Sequence, residues 1–509
     1  MLTALLVIPI LGAISLLLVN DNNKSLMKQL SLGFSLINFI LSLLIWGSFN
    51  NNSNEFQFVQ EWGSVSFCHL NLGIDGISLF FVLLTTFIIP ICILSNWDNI
   101  KVGLKYYLVA FLILESLLLA VFVVLDLLLF YITFESVLIP LFIIVVYWGG
   151  GIAKVRAGTM LFLYTLFGSL FMLLAILTIY FLTGTTDFLL LSTIEFNLDT
   201  QKILWLAFFI ALGIKVPLVP FHVWLPFAHV AAPLGGSVVL AGVVLKLASY
   251  SIIRVLIPFF PDASLYFTPL VYTLAVISII YPSLTCLRTI NIKAIIAYSS
   301  IAHMSVSILG FFSNNLQGIE GAIMLSLAHG ITSPALFILV GGVLYNRTHS
   351  LNLKYYRGLA MSMPLFAVIF FVFTLANIGV PLTANFIGEF MSFAGAFQEN
   401  PIMTSIGASG MVLAAAYSVW LYNKICFGSN SAYLSNMFDL NRREFILLLT
   451  LLTIIIILGV YPNIVLDSLH LSVSNLIINS PLELTSLAVI PILPKNIKKL
   501  GDKIPPKKE

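Results

Sequence analysis

Four ionisable residues fall inside long apolar segments of this chain. They are Glu135 in FYITFESVLIP, Lys215 in IKVPLVPF, Lys246 in LAGVVLKLASY and Glu389 in NFIGEF. A Lys or an acid at the centre of a membrane helix costs about 2.5 to 3.5 kcal/mol on insertion scales, so such a group must pair, become neutral or face water. Two interpretations stay open: an ion pair between Glu135 and Lys215 that only fixes packing, or sites that load and release protons as the partner carboxylate approaches and withdraws.

Histidines add to this pattern because a His side chain changes its charge near neutral pH. His222 and His229 are seven residues apart in PFHVWLPFAH, about two helical turns, and would share one face if Pro226 did not intervene. His303 and His329 lie in two further apolar segments. A hydrogen-bonded structural role and a proton-relay role both stay open for these four histidines. Surface or interfacial positions are predicted for His69, His349 and His470.

Other polar residues carry weaker predictions. Glu115 is a weaker relay candidate, Asp126 is predicted to start a helix at the membrane interface, and Arg254 is expected to extend its charge to that interface. No metal-site spacing occurs: the four cysteines, Cys68, Cys92, Cys286 and Cys426, are far apart, which argues against an iron-sulfur cluster held by this chain alone. The run of three glycines at 149–151 follows an apolar helix and lacks the Lys-Ser/Thr of a phosphate loop, so a turn is predicted.

Composition shows where these residues must sit. Of 509 residues, only 9% are charged and 60% are apolar, whereas a soluble domain carries about 25% charged residues. This composition excludes disorder, nucleic-acid binding and an ordinary cytoplasmic enzyme. The chain is therefore predicted to be one large polytopic membrane protein.

Long apolar runs predict an all-α membrane fold with about fourteen transmembrane helices, since about 20 apolar residues cross the hydrocarbon. The predicted spans begin near residues 1, 25, 77, 105, 127, 157, 202, 235, 266, 292, 318, 362, 402 and 443. The first, residues 1–19, has no basic leading region or cleavage pattern and is predicted to be a membrane helix, not a cleaved signal.

Loop charges alternate along the chain and predict its orientation. Lys and Arg recur in every second loop, while the other loops carry mainly acids, so the basic loops are expected to face the cytoplasm or the mitochondrial matrix. The basic positions are Lys24, Lys28, Lys101, Lys105, Lys154, Arg156, Arg288, Lys293, Arg347, Lys354, Arg357, Arg442 and Arg443. The Lys-rich tail after residue 495 falls on the other side if the span count is even. Either the tail escapes the rule or residues 463–491 contain another membrane segment.

Two predicted spans are interrupted by the same tripeptide, Val216-Pro217-Leu218 and Val380-Pro381-Leu382. Proline removes a helical hydrogen bond, and irregular backbone at membrane depth must be buried in protein or line a wet cavity. Paired interrupted helices in two halves of a chain are typical of inverted-repeat transporters that bind or conduct at the breaks. A chance match of so short a motif is the alternative.

At this point the motifs resemble a known family, the antiporter-like membrane subunits of proton-pumping NADH:quinone oxidoreductase, respiratory complex I. The resemblance covers nearly the whole chain and rests on KVPLVPFHVWLPFAHVAAPLGGSVVLAGVVLKLASY, RTINIKAIIAYSSIAHMSVSILG, FYITFESVLIP and NRREF. Glu389 favours one branch of the family over its sister branch, which typically has Lys at this position. Ala248 and Ser249 replace glycines that are common in the family, and the tail matches no motif.

The resemblance implies roles for the candidate residues. Glu135 and Lys215 are the pair on the fifth and seventh spans, Lys246 is the central Lys of the eighth, and Glu389 is the exit-side acid of the twelfth. We call these four residues the central row. The histidines His222, His229, His303 and His329 fall on the family's hydrophilic axis. The implied organisation is an N-terminal three-helix segment (1–104), two inverted five-helix repeats (105–260 and 261–428) with one broken helix each, a last transmembrane helix (429–480) and a Lys-rich tail (481–509).

The resemblance also implies function and surroundings. The expected function is proton translocation in the membrane arm, driven by electron transfer from NADH to ubiquinone in other subunits. NADH, flavin, iron-sulfur clusters and ubiquinone are expected in those subunits, with no cofactor or metal here. Expected partners are neighbouring antiporter-like subunits and lipids, with no nucleic acid. The expected location is the mitochondrial inner membrane, or alternatively a bacterial plasma membrane. An Mrp-type cation/proton antiporter subunit and a structural membrane spacer are the alternative functions.

Overall fold

The structure is a computed structural model that describes residues 1–65, 68–429, 434 and 437–478. Within these residues the chain is mostly helical. In chain order, the main helices are α1 (Leu2–Leu18), α2 (Lys24–Gly47), α3 (Gly76–Ser95), α4 (Leu104–Val123), α5 (Leu127–Trp148), α6 (Lys154–Thr183), α7 (Leu198–Lys215), α8 (Trp224–Ala231), α9 (Leu234–Phe259), α10 (Pro261–Arg288), α11 (Ile292–Phe311), α12 (Leu316–Thr348), α13 (Pro364–Ile378), α14 (Ala384–Glu399), α15 (Pro401–Cys426), α16 (Arg442–Val460) and α17 (Asn463–Ile478). The predicted Lys-rich tail lies outside the described residues.

Eleven helices of the described part are long and apolar enough to cross a membrane: α2 to α6, α9 to α12, α15 and α16. Each predicted span start lies within a few residues of a helix start. The apolar helices α1 and α13 are shorter, and α7 ends at a break. A helix break divides one membrane-spanning segment into two short helices, which length alone does not identify as a span. The total of fourteen spans therefore stays a prediction.

A β-hairpin between α2 and α3 corrects the all-α prediction. Strands β1 (Gln57–Val65) and β2 (Cys68–Ile74) pair antiparallel. The sequence HLNLGI at 69–74 alternates polar or small residues with apolar ones, which suits a strand with one face against the protein. Leu72 and Ile74 are buried, and β2 continues into α3. The segment lies between two apolar helices, and its period of two was missed.

Asp126 confirms its predicted role as a helix start and also ties the hairpin to the helices. Its Oδ1 accepts hydrogen bonds from the backbone N–H groups of Leu128 and Leu129, which caps α5. Its Oδ2 accepts from the backbone N–H of His69 in β2 at 3.0 Å and from the hydroxyl of Thr186 at 2.6 Å. One carboxylate thus fixes the start of the helix that carries Glu135.

Both predicted helix breaks occur. Helix α7 ends at Lys215, and regular helix resumes at α8 after the two prolines Pro217 and Pro220. Helix α13 ends at Ile378 with Gly379 in the left-handed conformation (φ +77°), which terminates the helix, and α14 begins at Ala384. Lys215 therefore lies at the end of the first half-helix, whereas Glu389 lies beyond its break, inside the second half-helix.

The centre of the described molecule is formed by α3, α9, α11 and α12, which are almost entirely buried. In α2, α6 and α16 fewer than half of the residues of the apolar stretch are buried within the described molecule, as expected for lipid-facing helices. Helices α12 and α14 approach closely through glycines: a Cβ on Gly388 would lie 2.5 Å from the backbone N of Leu325. The central helices are therefore positioned by small residues, and their polar side chains face protein.

Wide helical turns interrupt two of the central helices. In α9, π turns occupy Leu240–Val244 and Ile252–Leu256, and in α12 one occupies Ile338–Leu344. A π turn changes the hydrogen-bonding partner of each carbonyl and rotates the residues that follow it. Lys246 lies two residues after the first of these turns.

Candidate proton-transfer site

Lys215 and Glu135 meet at the first helix break. Lys215 is the last residue of α7, where the negative end of the helix dipole favours a cation. Its Nζ lies 3.8 Å from Oε1 of Glu135 and donates a 3.0 Å hydrogen bond to the carbonyl of Phe134. The same Nζ lies 3.2 Å from the centre of the Phe134 ring, a cation–π contact. At 3.8 Å the carboxylate is too far for a hydrogen bond, so a small movement makes or breaks the contact.

Lys246 is fully buried in the middle of α9. Its Nζ donates to the carbonyl of Ala241, in the π turn, at 2.5 Å and lies 2.8 Å from Nδ1 of His329 on α12. Among the described residues, no carboxylate lies within ion-pair distance of this amine. Its close ionisable neighbour is therefore another base.

The second half of the site continues from His329 to the second break. The rings of His329 and His303 lie 5.8 Å apart between centres. Nδ1 of His303, on α11, lies 2.8 Å from Oε1 of Glu389 on α14. The four residues Lys246, His329, His303 and Glu389, which we call the contact chain, are all buried and come from four different helices.

Each histidine of the contact chain uses one ring nitrogen for its neighbour. His329 and His303 use Nδ1 toward Lys246 and Glu389, and the Nε2 atoms of both rings have no hydrogen-bond partner among the described residues. A neutral imidazole can accept a proton at one nitrogen and release one from the other. With water between the two Nε2 atoms, the arrangement could pass a proton between Lys246 and Glu389.

Glu389 is held against the backbone of the second break. A Cβ on Gly379 would lie 2.5 Å from Oε2 of Glu389, so the carboxyl group occupies the space that any other residue type would fill. Gly379 also has the positive φ that glycine adopts without strain. The residue that ends α13 thus leaves room for the acid of α14.

The other two predicted histidines lie in different places. The ring of His229, on α8, stacks on Phe337 of α12 at 4.5 Å between centres. His222 lies beside Tyr281 and Tyr298, at 6.0 and 6.3 Å between ring centres. The structure thus places His229 against α12, the helix that carries His329, and places His222 next to two tyrosines.

Lys293 is the residue of the site that the sequence interpretation missed. It was assigned to a basic loop, but it lies in the first turn of α11 with only 4% of its surface exposed. Its Nζ donates to the carbonyl of Ala232 at 2.7 Å. The available signal was its place in INIKAII, directly before an apolar run. The sequence alone does not distinguish a solvent-exposed lysine from a buried one at the start of a helix.

Arg254 and Glu115 both form polar contacts inside the protein. Arg254, expected at the membrane interface, instead forms a buried ion pair with Asp75 at 2.5 Å, because Asp75 caps α3 beside it. Glu115 is fully buried and accepts a 2.7 Å hydrogen bond from the amide of Asn38. Among the described residues, no group of three or more His, Cys, Asp or Glu side chains could hold a metal ion.

Comparison with known proteins agrees with this architecture. Residues 124–413 match the family model described as NADH:quinone oxidoreductase/Mrp antiporter, TM. That stretch is more than half of the chain and contains both breaks and every residue of the central row. The chain belongs to this family of antiporter-like membrane proteins.

Individual relatives narrow the resemblance. NADH-ubiquinone oxidoreductase chain 4 of Mycosarcoma maydis is 61% identical over 480 residues, covering 94% of this chain and 99% of that protein. A chain of respiratory complex I from Thermus thermophilus with bound NADH has a TM-score of 0.86 and 28% identity, covering 94% of this chain and 99% of that one. The resemblance to complex I membrane subunits is confirmed, and with it the branch that Glu389 favoured.

A more distant solved structure shares the fold. A chain of the Mrp complex from a Dietzia species has a TM-score of 0.82 at 16% identity, covering 94% of this chain and 97% of that one. At this identity the similarity concerns the fold alone. The same membrane architecture therefore occurs in an assembly that is not named as a respiratory oxidoreductase.

Proposed function

We propose that this chain moves protons across the membrane along the central row of Glu135, Lys215, Lys246 and Glu389, as a membrane-arm subunit of respiratory complex I. The observation that carries the proposal is the contact chain from Lys246 through His329 and His303 to Glu389. Four buried ionisable side chains from four helices are expensive to place in a membrane, and proton transfer is the use that their chemistry supports.

The proposed path begins at the first break. When Glu135 approaches Lys215, the carboxylate stabilises the ammonium, and when it withdraws, the buried amine releases its proton more readily. Buried water would join Lys215 to Lys246, because no direct contact between the two amines occurs among the described residues. Buried waters commonly hydrogen-bond to polar groups that lack a protein partner.

The path then follows the contact chain. The ammonium of Lys246 gives a proton to Nδ1 of His329, which releases one from Nε2. Water between the two rings would carry that proton to Nε2 of His303, because neither Nε2 has a hydrogen-bond partner among the described residues. His303 then releases a proton from Nδ1 to the carboxylate of Glu389. Each step breaks one N–H bond and forms one N–H or O–H bond, so charge moves and no covalent intermediate is needed. Glu389, beside the second break, is the exit residue.

The proposal also covers the span number, the location and the partners of the chain. It assigns fourteen spans with two inverted five-helix repeats, a mitochondrial inner-membrane location, and contacts with neighbouring antiporter-like subunits and lipids. NADH, flavin, iron-sulfur clusters and ubiquinone would be bound by other subunits, whose electron transfer drives the pump. The complex I names of the relatives support membership in a membrane arm with partner subunits.

Replacement of Lys215 by Ala tests the proposal. The assembled complex is expected to retain NADH oxidation by a soluble electron acceptor and to lose most proton pumping and coupled quinone reduction. Unchanged pumping would reject the role of Lys215. Loss of assembly, with normal pumping by any complex that forms, would favour the structural-spacer function, in which Glu135 and Lys215 only fix packing.

An Mrp-type cation/proton antiporter subunit is the second candidate function. The fold similarity to a chain of the Mrp complex favours it. The two functions differ in their energy source: an Mrp-type assembly would exchange Na⁺ or K⁺ for protons without redox input. Purification of the native assembly separates them, because the complex I proposal requires redox subunits to co-purify with this chain.

A further inference from the structure

Lys293 is a buried amine that the proposed path does not use. Its side chain crosses Gly341 in the π turn of α12, where a Cβ would lie 3.4 Å from Cε of Lys293. Its Nζ donates to the carbonyl of Ala232 at 2.7 Å, and no carboxylate of the described part lies within ion-pair distance of it. A buried ammonium without an acid is costly, so a use beyond simple packing is worth testing.

His229 packs against α12, the helix that carries His329 of the contact chain, by stacking on Phe337. Ala232, which binds the amine of Lys293, follows His229 by three residues at the end of α8. His229 is within electrostatic range of Lys293, Lys246 and His329. Neither ring nitrogen of His229 has a hydrogen-bond partner among the described residues. One nitrogen is thus available to accept a proton and the other to release one.

The charge balance of this region favours transfer. Among the described residues, no acid contacts the four bases Lys293, His229, Lys246 and His329, and the acid at the end of the contact chain, Glu389, contacts His303. Positive charges in a buried region repel one another strongly, so the group holds fewer protons than it has basic nitrogens. An incompletely protonated set of bases is what stepwise proton transfer requires.

We infer that Lys293 supplies protons to the contact chain from the side of the basic loops. The inference rests on the proposed function and adds an entry residue to it. Neither amine contacts the ring of His229 directly, so buried water would carry each proton. The ammonium of Lys293 gives one proton through water to a ring nitrogen of His229, whose other ring nitrogen gives one through water to the neutral amine of Lys246. A water proton from the basic-loop side restores Lys293, near Arg288 at the end of α10.

The structural alternative is that Lys293 only caps α8 through the carbonyl of Ala232. Two variants in the assembled complex separate the roles. Lys293→Met removes both the charge and the donor. Lys293→Arg keeps the charge and can still donate to the carbonyl, but a guanidinium does not release its proton in proteins.

A matched control is available at the protein surface. Lys105 donates to the carbonyl of Leu17, near the end of α1, at 3.3 Å and pairs with Asp21 at 2.9 Å. Lys105→Met thus removes an amine that contacts a helix-end carbonyl far from the contact chain. Wild-type pumping is expected for this control.

The relay role predicts that Lys293→Met and Lys293→Arg both lower proton pumping and coupled quinone reduction at least tenfold, with unchanged NADH oxidation by a soluble acceptor. Pumping by Lys293→Arg within twofold of wild type would overturn the inference and leave a helix cap. If either variant fails to assemble, His229→Gln, which leaves Lys293 and its carbonyl contact in place, decides: a tenfold loss supports the relay, and normal pumping overturns it.

Lys246→Met, measured in parallel, separates this inference from the proposed function. If Lys246→Met pumps normally, the proposed function fails. If Lys246→Met loses pumping while both Lys293 variants retain it, only the entry role of Lys293 fails.

Discussion

The Nζ of Lys246 lies 2.8 Å from Nδ1 of His329, and both side chains are buried. Both groups are bases, so a hydrogen bond between them requires that one nitrogen carries the proton and the other does not. A single proton is therefore shared between α9 and α12. Proton translocation would require this proton to be transferred, and a fixed positive charge at Lys246 would not be enough.

Lys246→Arg tests this distinction, because arginine keeps a positive charge and does not release a proton. We expect at least a tenfold loss of proton pumping by the assembled complex, measured in sealed vesicles with NADH and quinone. Lys202→Arg is the control: Lys202 lies over the ring of Tyr266 at 4.2 Å, a contact that arginine also makes. Normal pumping by Lys246→Arg would show that charge alone suffices.

His303 is the bridge between His329 and Glu389, so His303→Ala should interrupt the contact chain at one point. We expect assembly to persist and pumping to fall at least about tenfold, since a positioned proton-transfer group typically contributes about 10²- to 10⁴-fold. Coupled quinone reduction and vesicle acidification are the measurements. His349→Asn is the matched control, since His349 is exposed and has φ +51°, which Asn tolerates. Equal pumping by the two variants would remove His303 from the path.

Much of this site could be predicted from the sequence because a membrane makes buried charge conspicuous. Glu135, Lys215, Lys246 and Glu389 are charges in otherwise apolar segments, and the prolines after Lys215 indicated the first break. The contacts could not be predicted, because they join α9, α11, α12 and α14, and no sequence spacing specifies which helices meet.

The burial of Lys293 and the β-hairpin could not be predicted from local sequence. A lysine at a helix start is usually in a loop, and only the packing of α8 and α12 around Lys293 shows that it is buried. Polar and apolar residues alternate in the hairpin over only a few positions. The long apolar runs of the flanking helices are a stronger pattern, so the hairpin is hard to recognise. Both were missed because tertiary packing, not local sequence, decides the environment of a short segment.

Gly379→Ala should disturb both the second break and the acid beside it. Alanine at φ +77° costs about 1 to 2 kcal/mol, and its Cβ would displace the Glu389 carboxyl from His303. We expect a lower thermal stability of the complex and a several-fold loss of pumping. Gly33→Ala is the control, since Gly33 lies inside α2 with open space around it. If Gly379→Ala behaves like Gly33→Ala, the position of Glu389 does not depend on the break.

Glu115 and Asn38 form a second buried polar contact, between α4 and α2. Oε1 of Glu115 accepts from Nδ2 of Asn38 at 2.7 Å. The other atoms of the two groups, Oε2 of Glu115 and Oδ1 of Asn38, are acceptors without a donor among the described residues. A proton on the carboxyl group supplies the donor that this arrangement lacks, so a neutral acid fits the site better than a carboxylate.

Glu115→Gln should therefore preserve the complex, because a Gln amide offers one acceptor and a donor in the same plane. We expect normal pumping and a change in stability of at most about 0.5 kcal/mol. Glu115→Leu leaves the amide of Asn38 buried without its partner and should destabilise the protein by about 1 to 3 kcal/mol. Thermal inactivation of the assembled complex measures both effects. A Gln variant as unstable as the Leu variant would mean that Glu115 is ionised in the folded protein, and lost pumping by a stable Gln variant would make Glu115 part of the proton path.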